Sequence, residues 1–289
     1  MTLATLLLVL ASAAIHATWN LWIKQLRDDA RGATIAFTLT LLSGAIYLPF
    51  AIATVAMGSW RPTPAILPWV LGTGVLHVVY FLVLLRGYKV GDLSLVYPLA
   101  RGTGPLIAFI GAMLWFGERP TPLATGGALL VAAGVFLLAA RPDLPRRHAA
   151  SAGILYGVLT GLLIGAYTLW DGWAVKHVHI PPLFYYWAGE MARIVLYSPL
   201  ALRDRGGPAR LLRAHRWRMI GIATLSPLSY ILILLALRTG PVSHIAPARE
   251  LSILIGAWLG GQVLGEGERV RRLAAAAAIA GGVIALALA

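Results

Sequence analysis

Six charged residues stand where the chain is otherwise apolar: Arg101, Asp171, Glu190, Arg193, Arg249 and Glu250. Ionisable groups inside apolar helices are costly, so they face an interior, pair with one another and mark routes for solutes or protons. Three of the six are acidic and three basic. They could therefore serve a solute, or simply neutralise each other as scaffold.

Arg101 and Arg249 follow Pro98 and Pro247 by three and two residues. Proline suits the first turn of a helix, and a helix that starts or breaks beside a cavity offers free N–H groups to anions. Two guanidiniums placed there could grip a carboxylate or phosphate bidentately; the alternative is a structural ion pair, for instance Arg249 with Glu190. Glu190 and Arg193, three apart on one helix, can satisfy each other. Glu250 projects about 100° away from its neighbour Arg249 on a helix and needs a different partner. An acid without full pairing in an apolar helix is where a coupling proton would bind, which makes Glu190 and Glu250 the expected coupling groups.

Polar tips at His16, His77, Tyr80, Tyr97, Tyr230 and His244 interrupt other apolar runs. His77 and Tyr80 share a helix face, as do Trp19 with Trp22 and Trp170 with Trp173. Tryptophans near helix ends are ordinary interfacial anchors; Trp170 is also a candidate lining residue. The substrate-binding set expected from these patterns is His77, Tyr80, Tyr97, Arg101, Trp170, Tyr230, His244 and Arg249. Catalytic residues, metal ligands and cofactors are not expected. No P-loop, paired-histidine metal spacing or G-x-S-x-G elbow occurs, and the "HVH" at His177 reads as a solvated loop. Without a nucleotide site, transport would run on a gradient or by exchange.

The elements that position these residues follow from composition. Hydrophobic residues make up 59% of 289 and charged ones 12%, which places the chain among integral membrane proteins of all-α type. A bilayer span takes about 20 mainly apolar residues. That length fits ten times: Thr2–Ile23, Ala33–Met57, Pro64–Leu85, Leu93–Phe116, Thr121–Ala140, Ala152–Val175, Pro182–Leu202, Trp217–Leu237, Val242–Leu264 and Leu273–Ala289. The first run ends near an "ASA" that resembles a signal-peptidase site, but no Lys or Arg precedes it and the apolar stretch continues, so it reads as a span. The formal charge of +13 sits between apolar runs, not on one basic face, and implies no nucleic-acid partner. Zero Cys excludes disulfides and thiol chemistry.

Landmarks recur half a chain apart. "WNLWIK" from Trp19 is echoed by "WDGWAVK" from Trp170, "SLVYPLAR" from Ser94 by "SHIAPARE" from Ser243, and "WFGERP" from Trp115 by "GEGERV" from Gly265. Their common order implies duplication: a first five-helix repeat over 1–142 and a second over 148–289, joined by a polar linker at 143–147. An odd number of spans per repeat inverts the second copy in the bilayer. Lys24, Arg27 and Arg31 follow the first span and Arg203 to Arg218 the seventh, whereas the other side holds only Arg61, Arg119, Lys176 and Arg238. The positive-inside rule then puts both termini outside an inner, cytoplasmic-type membrane.

Ten spans in two inverted halves, "HATWNLWIKQ" closing the first span, the "YPLARGTGP" helix start and "GERPTPLATGGALLVAAGV" leading into the fifth together resemble the EamA-type branch of the drug/metabolite transporter superfamily. The resemblance covers essentially the whole chain. It implies a central cavity built mainly by spans 3, 4, 8 and 9 with 1 and 6 beside them. The function it implies is export of amino acids or similar small metabolites by alternating access. The expected partners are the solute and the lipid bilayer, and the expected state is a monomer. A carrier of anionic metabolites using Arg101 and Arg249, and a membrane-embedded enzyme acting on lipid-linked substrates, are the other readings.

Overall fold

The computed structural model describes residues 1–24, 32–91, 93–139, 149–204, 206–259 and 269–289, and within these the secondary structure is helical. Helix is the form in which an apolar segment pairs every backbone group within itself, as a bilayer demands. The helices are α1 (Leu3–Lys24), α2 (Gly32–Met57), α3 (Leu67–Val90), α4 (Leu93–Trp115), α5 (Pro122–Ala139), α6 (Ala149–Lys176), α7 (Pro182–Ala201), α8 (Gly207–Thr239), α9 (Val242–Ala248), α10 (Leu251–Leu259) and α11 (Arg269–Leu288). Seven helices among the described residues are long and apolar enough to cross a bilayer by themselves. Of the rest, α5 is short, α7 carries Glu190 and Arg193, and α9 and α10 are two pieces.

Two expected spans are corrected. The eighth begins at Gly207, not Trp217: Pro208 starts the helix in its first turn, and the chain kinks at His215 (φ −134°, ψ 29°) before entering the apolar run. Arg210, Arg213, Arg216 and Arg218, expected in or beside a loop, are therefore helical. The ninth is not continuous. Pro247 has no N–H to give, and the backbone tightens there, with Glu250 N bonding Pro247 O at 3.0 Å and Ile253 N bonding Glu250 O at 2.9 Å. The break falls on Arg249 and Glu250. Residues 260–264 of that span, and the linker, lie outside the described residues.

Helices from the two halves of the sequence pack against each other: α1 on α8, α2 on α7, α4 and α3 on α6, α5 on α11. Small residues permit the closest of these approaches. Gly153, Gly157, Gly161 and Gly165 form a stripe on α6, and a Cβ on any of them would press into α4 or its N-terminal approach, at Leu95, Leu99, Thr103 and Ile107. Leu7, Leu41, Phe50, Leu71, Leu114 and Ile284 remain exposed on the outside, the surface a bilayer covers. The amino group of Met1 donates to Ala287 O at 3.2 Å, so both ends of the chain lie at one face of the bundle. Asp204 and Thr34 meet at the opposite face.

Candidate functional site

The break between α9 and α10 projects two neighbouring side chains in different directions. Glu250 reaches α4, where its Oε1 lies 3.6 Å from Arg101 Nη1. Arg101 also donates through Nη2 to His16 Nε2 on α1, at 3.1 Å. Since arginine only donates, His16 accepts through Nε2 and carries its proton on Nδ1. The guanidinium further approaches the ring of Tyr97, 6.0 Å from its centroid. Glu250 Oε2 is buried and has no hydrogen-bond partner among the described residues.

Arg249 turns to α8 and lies over the ring of Tyr230 at 5.2 Å. Among the described residues no carboxylate comes within ion-pair distance of it. The hydroxyl of the same Tyr230 donates to Asp171 Oδ2 at 2.5 Å. Asp171, on α6, is fully buried. Its Oδ1 accepts from Tyr185 of α7 at 2.7 Å, and His77 Nε2 of α3 lies 3.9 Å from Oδ2. His77 is stacked on Tyr167, with ring centroids 4.3 Å apart, and Tyr80 meets the same Tyr167 edge-on at 5.5 Å. Tyrosine, histidine and arginine thus form one continuous aromatic and cationic surface from α3 across α6 to α8 and the α9–α10 break.

On α7, Arg193 Nη2 and Glu190 Oε1 are 2.9 Å apart, and Tyr186 donates its hydroxyl to the same oxygen. Glu190 Oε2 and Arg193 Nε are buried without hydrogen-bond partners among the described residues. The structural pair considered between Arg249 and Glu190 does not form, because Arg193 is one helical turn from Glu190 and takes it. Tyr186 and Tyr230, with centroids 6.1 Å apart, connect this group to the centre.

The structure thus brings His77, Tyr80, Arg101, Tyr230, Arg249 and Glu250 together, and leaves Glu190 one tyrosine away. Tyr97 is on the periphery and 37% exposed. Trp170 packs between helices: its Nε1 donates to Trp69 O at 3.1 Å and its ring lies against Gly72, which has no side chain to obstruct it. His244 lies near the other end of α9, its Nδ1 3.2 Å from Ser243 Oγ. Sequence reasoning singled out Asp171 without giving it a role, and passed over Tyr167, Tyr185 and Tyr186. The available signal for Asp171 was its repeat partner: the matched position in the first half is the uncharged Asn20.

Towards the face where the chain ends meet, Glu118 accepts from Val242 N at 2.8 Å and Ser243 N at 2.9 Å, one bond on each carboxylate oxygen. Lys176 Nζ is 3.9 Å from Glu118 Oε1 and donates to Gly240 O at 3.1 Å. A loop of the first half thus caps the broken helix of the second.

The model of the EamA-like transporter family matches residues 3–140. A solved structure described only as "Crystal structure of protein" aligns over 98% of this chain and 98% of its own, with a TM-score of 0.76 and 16% identity, and so shares the fold. No curated protein matches the chain. Family match, shared fold and an all-helical bundle with apolar exterior agree: the chain is a multi-pass membrane protein whose residues 3–140 match the EamA-like transporter family.

Proposed function

We propose that the protein is a secondary transporter of the inner membrane that exports amino acids or similar small zwitterions by alternating access. Its moving parts are two inverted five-helix repeats, 1–142 and 148–289. The observation that carries this reading is the α9–α10 break. Among the described residues it carries a guanidinium with no carboxylate within ion-pair distance, Arg249, next in sequence to Glu250, whose buried Oε2 has no hydrogen-bond partner. A buried polar group without a partner is costly, and a ligand that supplies one is favoured. An amino acid offers both partners at once, its carboxylate for Arg249 and its ammonium for Glu250. His77, Tyr80, Tyr167 and Tyr230 supply the apolar and aromatic wall that such sites use around a few polar groups.

A strongly anionic solute fits less well. It would need Arg101 and Arg249 together, and Arg101 is already engaged by Glu250 and His16. Chain ends that share one face accord with an even number of crossings. The excess of Lys and Arg on the loops of the other face argues that the ends lie outside the cell.

The test is solute counterflow. Purified protein in liposomes loaded with unlabelled amino acid should draw in labelled amino acid above the level of empty vesicles. Silence across the proteinogenic amino acids would sink the reading.

A further inference from the structure

The geometry points to Asp171 and His77 as a proton-binding pair that couples solute movement to a proton gradient; this rests on the transporter reading above. Each of the other two mid-span acids has an arginine within 4 Å, Glu190 with Arg193 and Glu250 with Arg101. Asp171 has none among the described residues. The one basic group within that distance is His77, at 3.9 Å. Paired acids and histidines inside membrane helices are the parts from which proton relays are built.

The hydrogen bonds around the pair accommodate a proton in either place. His77 Nδ1 faces Thr73 O at 2.9 Å, a carbonyl that only accepts, so Nδ1 holds a hydrogen and Nε2 is the atom directed at Asp171. Tyr185 OH stands between two acceptors, Asp171 Oδ1 at 2.7 Å and Trp69 O at 3.3 Å. With Asp171 ionised, Tyr185 and Tyr230 both donate to it. With a proton on Oδ1, Asp171 donates to the Tyr185 oxygen and Tyr185 donates to Trp69 O. Both forms are fully bonded after one hydroxyl turns. With the proton on His77 Nε2 the pair becomes an imidazolium beside a carboxylate. The proton enters from water through His77, which keeps 13% of its side-chain surface, and not through Asp171, which keeps none.

The charged and titratable groups facing the pair are few. Arg193 of α7 and Arg249 at the α9–α10 break act from beyond ion-pair distance. Tyr185 and Tyr230 touch it, Tyr167 stacks on it, and Arg101 of α4 is held by Glu250. Tyr230 connects proton and solute: its hydroxyl bonds Asp171 and its ring lies under Arg249.

Proteoliposomes carrying a pH-sensitive dye test this. Wild-type protein should show counterflow and solute-dependent proton movement together. Asp171→Asn should keep counterflow within about threefold of wild type and lose proton movement by at least about tenfold, while Glu190→Gln keeps proton movement. Asp171→Glu, which restores the acid, should recover part of it. If Asp171→Asn fails to fold, His77→Gln and the wild-type proton-to-solute ratio carry the test. Counterflow without proton movement in wild type, or proton movement undiminished in Asp171→Asn or His77→Gln, overturns the proposal and leaves the transporter reading standing. Absence of counterflow in wild type removes both.

Discussion

Arg101 and Glu250 each stand three residues after a proline of the duplicated "P-x-A-R" and "P-A-R-E" segments, and they touch at 3.6 Å. Two positions exchanged by a two-fold relation meet only if they lie beside its axis. The contact is what an inverted duplication with α4 and the broken α9–α10 at its centre would produce. It also ties the halves electrostatically, where helices must part and rejoin if one half rocks against the other. The pair is nearly buried, with 12% and 3% of the side chains exposed. Removing one member of such a pair leaves the other as an uncompensated charge, at a cost of about 3–5 kcal/mol. Arg101→Met should therefore lower stability strongly in detergent, and the double change with Glu250→Leu should recover most of the loss. Chemical or thermal unfolding measures both. A single substitution costing under about 1 kcal/mol would mean that the pair is not engaged.

Arg249 should behave in the opposite way. With no carboxylate to abandon among the described residues, Arg249→Gln should leave stability nearly unchanged, yet it removes the donor proposed for the solute carboxylate. A charge-assisted hydrogen bond contributes about 1.5–3 kcal/mol, so affinity should fall by roughly tenfold to a hundredfold. Arg249→Lys should fall in between, because an ammonium keeps the charge and loses the bidentate fork. Solute-dependent thermal shift reads affinity and stability in one experiment. Equal loss of both for Arg249→Gln would make Arg249 scaffold.

Glu118 gives a test that does not depend on any solute. Its two oxygens satisfy Val242 N–H and Ser243 N–H, the first free donors of α9. Lost caps cost about 0.5–2 kcal/mol. Glu118→Ala should lower stability by that amount and speed hydrogen exchange at Val242 and Ser243, with the α5 amides unaffected. Unchanged exchange at these two amides would show the cap to be idle.

How much of this was legible in the residues depends on the range over which each signal acts. Spans such as Gly32–Met57 follow from a continuous apolar run, a local property. The break at Arg249 was marked by Pro247, but length counting carried Val242–Leu264 across it, since apolar residues continue on both sides. The amphipathic start of α8 was hidden by its arginines, which read as loop. Glu118 was visible as a repeat landmark, though its role needs the end of α8 folded back beside it. Tyr167, Tyr185 and Tyr186 carry no period or motif; what brings them together is the convergence of α3, α6, α7 and α8 around Asp171 and Glu190, and no local pattern encodes that.

The orientation of the whole assembly can be decided because the chain has no cysteine of its own. Met1 bonded to Ala287 puts the two ends together, and α8 begins at the opposite face, where exposed Arg213 lies. Single cysteines at Thr2, Ala289 and Arg213 therefore report two faces with three labels. In intact cells a membrane-impermeant maleimide should modify Thr2→Cys and Ala289→Cys, and reach Arg213→Cys only after the membrane is opened. Labelling of Arg213→Cys alone would keep the fold and reverse the orientation, against the charge bias of the loops. Labelling of one end without the other would contradict the Met1–Ala287 contact itself, and with it an even number of crossings.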